Sequence, residues 1–270
     1  GGPWDNATDS DMFTWPYNSP RRGASTKERP FGEFDACVGG WELPGEPFTV
    51  AEGSKFGWWR ARMVGGRTNH WARNSFRMGP YDFMPKTRDG LGVDWPITYE
   101  DLAPWYDKTE KLVGVYGTNT GLENHPSSGP GVLQTPPKFR TWETFLKAGG
   151  DAIGIPVVPA RRAVLTKKID ERTPCYWASS CGRGCGIGAA FQTTTSLIPW
   201  ARKTGKLTVA TGAMVRNVVL DASGKATGVI YIDKATGLEK QAKGRVVILA
   251  ASTGETARIL LNSGAGGSRD

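Results

Sequence analysis

The strongest constraint on the fold is a strand–turn–helix pattern near the end of the sequence. Residues 243–251 carry an unbroken apolar core, which is typical of a strand buried on both faces of a parallel sheet. Small residues at 252–255 follow, and 256–262 have helical spacing. A buried strand that leads into a helix N-terminus is the usual place for a nucleotide in an α/β sheet. The pattern therefore predicts an α/β fold with a nucleotide-like cofactor.

The preceding sequence predicts further elements of both kinds. Strands are predicted at 156–159, 163–165, 206–210, 214–221, 226–233 and 239–242, the last three forming a β-meander. Helices are predicted at 98–113, 141–153 and 196–203. Thr98 is the expected N-cap of the first helix, with Asp101 three residues later in a near capping box. Residues 1–57 are rich in Gly and Pro and predict an extended covering segment.

Size and charge narrow the class of protein. The chain has 270 residues, 39% of them hydrophobic, which is enough for one large domain or two ordinary ones. No apolar run approaches the roughly 18 residues of a membrane helix. The net charge of +8 is scattered and accompanies no nucleic-acid motif, so an anionic ligand or an acidic partner is expected and nucleic acid is not. Both ends look cut, which suggests a piece of a longer protein.

A polar, glycine-containing stretch at 60–73 is the first candidate site. Gly65 and Gly66 allow positive φ and a close approach of the backbone to a ligand. Three short or planar hydrogen-bonding side chains follow, namely Thr68, Asn69 and His70. Trp71 could wall off one side of a flat, phosphate-bearing cofactor. The alternative is a plain glycine turn with a satisfied histidine. His125, in the loop at 118–139, is predicted to lie at the surface.

Three clustered cysteines form the second candidate site. Cys175, Cys181 and Cys185 have the spacing C-x5-C-x3-C, interleaved with glycines that can turn backbone N–H groups toward thiolates. Arg183 adds a positive charge nearby. The pattern favours an iron–sulfur cluster. A disulfide in a secreted protein, or zinc completed by Cys37 or a carboxylate, stays open.

Three motifs in order resemble the glucose–methanol–choline (GMC) flavoprotein oxidoreductases. They lie at 65–71, 94–106 and 246–263, and the likeness runs from about residue 31 to residue 263. The closest similarity is to the bacterial branch that contains gluconate 2-dehydrogenase and FAD-dependent glucose dehydrogenase flavoprotein subunits. The resemblance implies a fragment of the FAD/NAD(P)-binding fold of GMC type, with a β-meander and a partial substrate domain.

The resemblance also implies an enzyme that oxidises a sugar or another alcohol by hydride transfer to FAD. In the glucose dehydrogenase members a 3Fe-4S cluster is held by cysteines spaced as Cys175, Cys181 and Cys185 are here. Electrons would then pass to a cytochrome c subunit, and a small chaperone-like subunit is expected beside it. Such proteins are often periplasmic, and contact with the membrane is expected only through partners.

Individual residues match the positions that hold the cofactor in the family. The loop along the flavin and diphosphate matches Gly65, Gly66, Thr68, Asn69 and His70; a covalent bond from His70 to the flavin is a weaker hypothesis. Val215 matches the position that meets the adenine, and Ala251 lies in the turn 250–255 beside the cofactor. A Gly-x-Gly-x-x-Gly motif is missing, Ala72 replaces a common glycine, and the family's catalytic histidine falls beyond this sequence. No catalytic residue is therefore assigned, and this piece alone is expected to bind FAD poorly and to be inactive.

The predicted organisation has four segments. Residues 1–93 form the covering segment and the Gly-Gly loop, 94–165 a helical, substrate-side segment, 166–195 the cysteine loop, and 196–270 a second part of the FAD-binding domain. Two rival functions remain. One is an oxidase or dehydrogenase of the same fold with disulfide-bonded cysteines and no cluster. The other is a secreted, non-enzymatic binding module.

Overall fold

The structure is a computed structural model that describes residues 49–54, 64–69, 71–123, 125–177, 185 and 187–264. Contacts divide the chain into two compact units, a first unit at Gly2–Leu207 and a second at Thr208–Asp270. The four predicted segments stay a prediction. Most of the predicted covering segment at 1–57 lies outside the described residues.

The first unit contains the helices that periodicity predicts, plus a short one. The α-helices are α1 (Pro85–Asp89), α2 (Tyr99–Val113), α3 (Thr141–Ala152) and α4 (Leu197–Lys203). Short 3-10 helices lie at Gly66–Asn69, Pro80–Phe83 and Thr193–Thr195. None of the helices in the described ranges combines the length and the apolar character needed to cross a membrane.

The second unit is a three-stranded antiparallel meander with one helix. Its strands, in both chain and spatial order, are β1 (Ala213–Leu220), β2 (Ala226–Asp233) and β3 (Glu239–Lys243). The helix α5 (Thr253–Ser263) packs on β1, where buried Ile259 and a bond from the Val218 N–H to Ser263 Oγ (2.8 Å) fix it. The predicted meander is confirmed.

Several strand predictions are wrong. Residues 206–210 and 244–251 form no strand, and the apolar side chains of Val246 and Ile248 are 76% and 84% exposed. Residues 156–159 form no strand either, and 163–165 makes only an isolated bridge. A strand exists only through hydrogen bonds to a neighbour, and no described residues pair with 244–251 as a parallel sheet would require. An apolar run therefore indicates that a segment tends to be buried, but it does not show which neighbouring strand the segment would pair with.

Three short extended segments, at 115–116, 163–164 and 190–191, form a layer at the centre of the first unit, which we call the wall. Each segment sends adjacent side chains to opposite sides, as extended chain requires. One side of the wall is the cluster Val115, Ala163 and Phe191, with Trp71 packed against it. The other side is the cluster Tyr116, Val164 and Ala190, with Cys175 and Cys185 packed against it. The two candidate sites of the first unit thus lie on opposite faces of a single layer.

The same unit also buries a charged network next to α2. Arg77 donates Nε–H to Glu110 Oε1 (3.0 Å) and an Nη2–H to Glu110 Oε2 (2.6 Å), and it also pairs with Asp107. These hydrogen bonds raise the pKa of Arg77 although burial acts in the opposite direction. Arg161, which is fully buried, lies 3.7 Å from Glu110 Oε1. The network ties α2 to the chain on either side of it.

The surface position predicted for His125 is wrong. The residue is only 8% exposed, its Nδ1 bonds with Thr120 Oγ1 (3.0 Å), and its ring packs edge-on against Phe76. Burial lowers the pKa of His125, and the charge of Arg161 adds to this. Its polar sequence neighbours give a false signal because the burial comes from residues distant in the chain.

Candidate functional site

The Gly-Gly loop is folded around a buried arginine, Arg73. Its guanidinium donates to the carbonyl oxygens of Asn69 (3.0 Å), Thr68 (3.4 Å), Trp71 and, across the unit, Phe191 (3.4 Å). Arg73 itself has φ +62°, an uncommon conformation for a residue with a Cβ. One cation thus satisfies the carbonyl groups of the loop and holds it curled.

Two side chains predicted to contact the cofactor also brace the loop. Thr68 Oγ1 donates to the Gly65 carbonyl (2.6 Å) and is 2.9 Å from Thr193 Oγ1. Asn69 is fully buried; its Nδ2 donates to the Val64 carbonyl (2.8 Å) and its Oδ1 accepts from Thr194 Oγ1 (3.0 Å). Direct contacts from Thr68 and Asn69 to FAD stay predictions.

The two glycines are required for different reasons. Gly65 has φ +85°, and a Cβ there would lie 2.8 Å from Asn69 Oδ1 and 2.9 Å from Thr194 Cγ2. Packing inside the protein therefore explains Gly65 by itself. Gly66 also has positive φ (+50°), but a Cβ there would meet no described atom within 4 Å. Open space at Gly66 leaves room for a ligand to lie against the backbone.

The surroundings of the loop fit a polar ligand. Gln192, which directly precedes Thr193, is 0% exposed, and neither Nε2 nor Oε1 of its amide has a hydrogen-bond partner among the described residues. A buried amide without partners is costly unless a ligand or water completes it. Trp71 does not form an outer wall but packs edge-on against Phe191 and donates to its carbonyl (3.2 Å). His70 lies outside the described residues.

The remaining predicted cofactor contacts lie in the second unit. Val215 is in β1 next to an irregularity in its pairing with β2, and Ala251 is exposed just before α5. Arg258 connects the two regions: it donates to the Val215 carbonyl (2.8 Å) and to Glu255 Oε2 (2.8 Å) in the first turn of α5. Arg258 thus joins Val215 to the first turn of α5, the helix that begins two residues after Ala251.

The cysteine loop is closed at its base. The Cys175 N–H donates to the Leu165 carbonyl (2.9 Å), the Leu165 N–H donates to the Ala189 carbonyl (2.9 Å), and the Thr173 N–H donates to the Ile187 carbonyl (3.4 Å). Both ends of the loop are therefore tied to the wall. Cys175 and Cys185 share one apolar cluster, although ten positions separate them in the sequence.

Both described sulfur atoms accept backbone hydrogen bonds. Cys175 Sγ accepts from the Trp177 N–H (3.1 Å) and Cys185 Sγ accepts from the Ala190 N–H (3.4 Å). No disulfide joins Cys175 to Cys185, and Cys185 is a free thiol. Such N–H groups stabilise thiolates that bind a metal cluster. Cys181 and Arg183 lie outside the described residues, so the third predicted ligand stays a prediction.

Sequence reasoning missed several residues that build these sites. Arg73 stands inside the stretch singled out from the sequence, but only its charge is visible there. Thr193 and Thr194 belong to a run of three threonines, which is a visible signal, but their partners lie 125 residues away. Nothing in the sequence around Arg172, at the base of the cysteine loop, indicates that this residue is buried or contacts the loop.

Known proteins resemble the chain over most of its length. The family model described as GMC oxidoreductase matches residues 48–270. The 2-methyl-1,2-propanediol dehydrogenase of Mycolicibacterium austroafricanum is 33% identical over 217 residues, 77% of this chain and 37% of that protein. The 6'''-hydroxyparomomycin C oxidase of Streptomyces lividus is 29% identical over 215 residues, 77% of this chain and 38% of that protein.

A sugar dehydrogenase subunit is also similar. The fructose dehydrogenase large subunit of Gluconobacter japonicus is 31% identical over 205 residues, 73% of this chain and 36% of that protein. The chain spans well under half of the length of these relatives. The predicted family and the predicted fold class are confirmed: the chain belongs to the GMC oxidoreductases and corresponds to their N-terminal, FAD-binding part.

Proposed function

We propose that the full-length protein is an FAD-dependent dehydrogenase that oxidises a sugar or another alcohol and passes the electrons to an iron–sulfur cluster. The observation that carries this proposal is the wall of the first unit, whose one face packs Trp71 of the Gly-Gly loop and whose other face packs Cys175 and Cys185. A cofactor loop and a thiol loop on opposite faces of one layer are suited to electron transfer between two centres.

Residues of this chain have distinct roles in the proposal. Gly66, His70, Gln192, Val215 and Ala251 would hold FAD, and Arg73, with Thr68 and Asn69, shapes the loop that does so. Cys175, Cys181 and Cys185 would hold a 3Fe-4S cluster. When bound, FAD supplies the hydride acceptor and the cluster passes electrons singly.

Partners and compartment follow from the same proposal. The fructose dehydrogenase relative is named a large subunit, which supports an assembly with other subunits. We expect a cytochrome c subunit as electron acceptor, a small chaperone-like subunit, and a periplasmic location in which the membrane is reached through these partners.

A cluster-free oxidase is the second candidate, because one relative is named an oxidase. In that case the cysteines would be disulfide-bonded, and oxygen would be the natural acceptor. Family membership leaves no support for the non-enzymatic binding module.

The deciding experiment measures bound flavin, iron and zinc in the full-length protein, which is purified without oxygen and oxidised with ferricyanide before EPR. We expect FAD together with three irons per chain and an EPR signal of an oxidised three-iron cluster. Cys181→Ser should abolish the iron, whereas Cys37→Ser, the matched control outside the cluster, should keep it. Protein with full flavin and no metal would support the oxidase-like alternative, and zinc that is lost in both variants would indicate a zinc site completed by Cys37.

The flavin part is tested with the two histidines of the chain. His70→Ala should lose or loosen FAD, whereas the control His125→Gln should keep the full flavin spectrum. If His70→Ala retains all its flavin and only activity falls, the cofactor role assigned to His70 is wrong.

A further inference from the structure

Arg172 is a buried cation at the base of the cysteine loop. It is 2% exposed, and its guanidinium donates to the carbonyl oxygens of Gly188 (2.9 Å), Val113 (2.9 Å) and Ala189 (3.5 Å). The carbonyl of Val113 belongs to the last residue of α2. Arg172 therefore fastens the returning end of the cysteine loop to the C-terminus of a helix.

The charge of Arg172 has no ion-pair partner in the described ranges. None of the ion pairs there includes Arg172, and its other neighbour is the Phe191 ring, 5.7 Å from the guanidinium carbon. The negative end of α2 compensates only about half a charge. Burying an uncompensated cation is costly, so an arginine at this position indicates an anion nearby.

The candidate for that anion is the metal centre, because Cys185 acts on the charge of Arg172 more strongly than the exposed Asp170 does. Arg172 binds the carbonyls of Gly188 and Ala189, and the next residue, Ala190, donates its N–H to Cys185 Sγ (3.4 Å). One short turn therefore holds both the cation and the sulfur. Burial lowers the pKa of Arg172 to about 10, and Cys185 and then Asp170 act in the opposite direction, so the side chain is charged at neutral pH.

We infer that Arg172 is the buried counter-charge of the metal centre and raises its reduction potential. The inference rests on the iron–sulfur cluster of the proposed function. Each electron added to a cluster makes it more negative, and a fixed cation in a low-dielectric site stabilises the reduced form. Arg172 is a positioning and tuning residue that need not bind the metal.

The test is a redox titration of the cluster, followed by EPR, in the full-length protein. Arg172→Gln should lower the potential, so that at the wild-type midpoint the ratio of oxidised to reduced cluster rises at least tenfold, equivalent to about 59 mV for one electron. Arg172→Lys keeps the charge and should stay close to wild type. Lys168→Gln, which removes an exposed charge four positions earlier, is the matched control and should leave the potential unchanged.

The possible outcomes distinguish an electrostatic role of Arg172 from a purely structural one. If Arg172 only fastens the loop, the Gln and Lys variants would lose iron and stability to a similar extent, with no difference in potential between them; that result overturns the inference. A potential unaffected by Arg172→Gln in protein that keeps its iron overturns it as well. Wild-type protein without iron overturns the proposed cluster and the inference together.

Discussion

At the scale of single residues, a missing Cβ decides whether the Gly-Gly loop can close. Gly65 faces Asn69 and Thr194 at distances that no Cβ tolerates, whereas Gly66 faces open space. Both have positive φ, so any other residue there costs roughly 1–2 kcal/mol in backbone strain. Only at Gly65 is a steric clash added.

We therefore predict that Gly65→Ala lowers the free energy of unfolding by more than about 2 kcal/mol and Gly66→Ala by about 1 kcal/mol. Urea unfolding of both variants measures the difference. If FAD lies against Gly66, the Gly66→Ala variant should in addition bind flavin more weakly while remaining folded. Equal destabilisation by the two substitutions would contradict the steric account.

At the scale of elements, α2 is defined by its ends. Thr98 accepts from the Asp101 N–H (3.3 Å), and Asp101 Oδ2 accepts from the Thr98 N–H (2.9 Å), which completes the capping box expected from the sequence. At the other end Gly114 adopts φ +80° and stops the helix. These contacts lie within a few residues, which is why they could be predicted.

Removing the N-cap of α2 should lower the stability of the folded protein. Thr98→Ala is expected to cost about 1 kcal/mol, because an N–H at the start of α2 loses its acceptor. Thr109→Ala is a suitable control, since Thr109 is exposed in the middle of the same helix. Thermal unfolding of the two variants compares them; if Thr98→Ala melts no earlier than Thr109→Ala, the cap does not stabilise the helix.

At the scale of the whole molecule, a core that contains charges makes stability depend on pH. Burial and then the charge of Arg161 lower the pKa of His125 in the folded protein, while Glu110 acts in the opposite direction. In the unfolded chain its pKa returns to about 6.5. Below that pH the unfolded state binds a proton that the folded state excludes. Stability contributed by the neutral ring is therefore present above about pH 7 and is lost as the pH falls toward the lowered folded value.

We predict that the wild-type protein is less stable at about pH 5.5 than at about pH 7.5, with a slope of at most about 1.4 kcal/mol per pH unit, and that His125→Gln flattens this slope. Urea unfolding at both pH values measures it. Asp107 does not interfere: burial acts to raise its pKa, but the hydrogen bonds from Gly129 and Arg77 outweigh burial, so the pKa lies below the ordinary value of an aspartate. An unchanged slope in His125→Gln would show that another group is responsible.

Local signals in the sequence were sufficient for the helices, the meander and the family motifs. Caps, turns and apolar periodicity act between residues that are neighbours in the chain, so α2, α3 and the hairpin from β1 to β2 follow from the sequence alone. The spacing of the cysteines likewise predicts a thiol site without any information on tertiary contacts, and this site stays a prediction.

Contacts between residues far apart in the sequence could be identified only from the tertiary structure. The apolar run at 243–251 predicts a buried strand, yet a strand needs a neighbour, and the described residues offer none. The same holds for Arg73, Arg172 and His125, whose burial depends on groups far along the chain. The sequence by itself determined the helices α2 to α5, the meander and the family motifs. The tertiary structure decided which of them meet, because burial and hydrogen bonding between distant segments are properties of the assembled core and not of any local pattern.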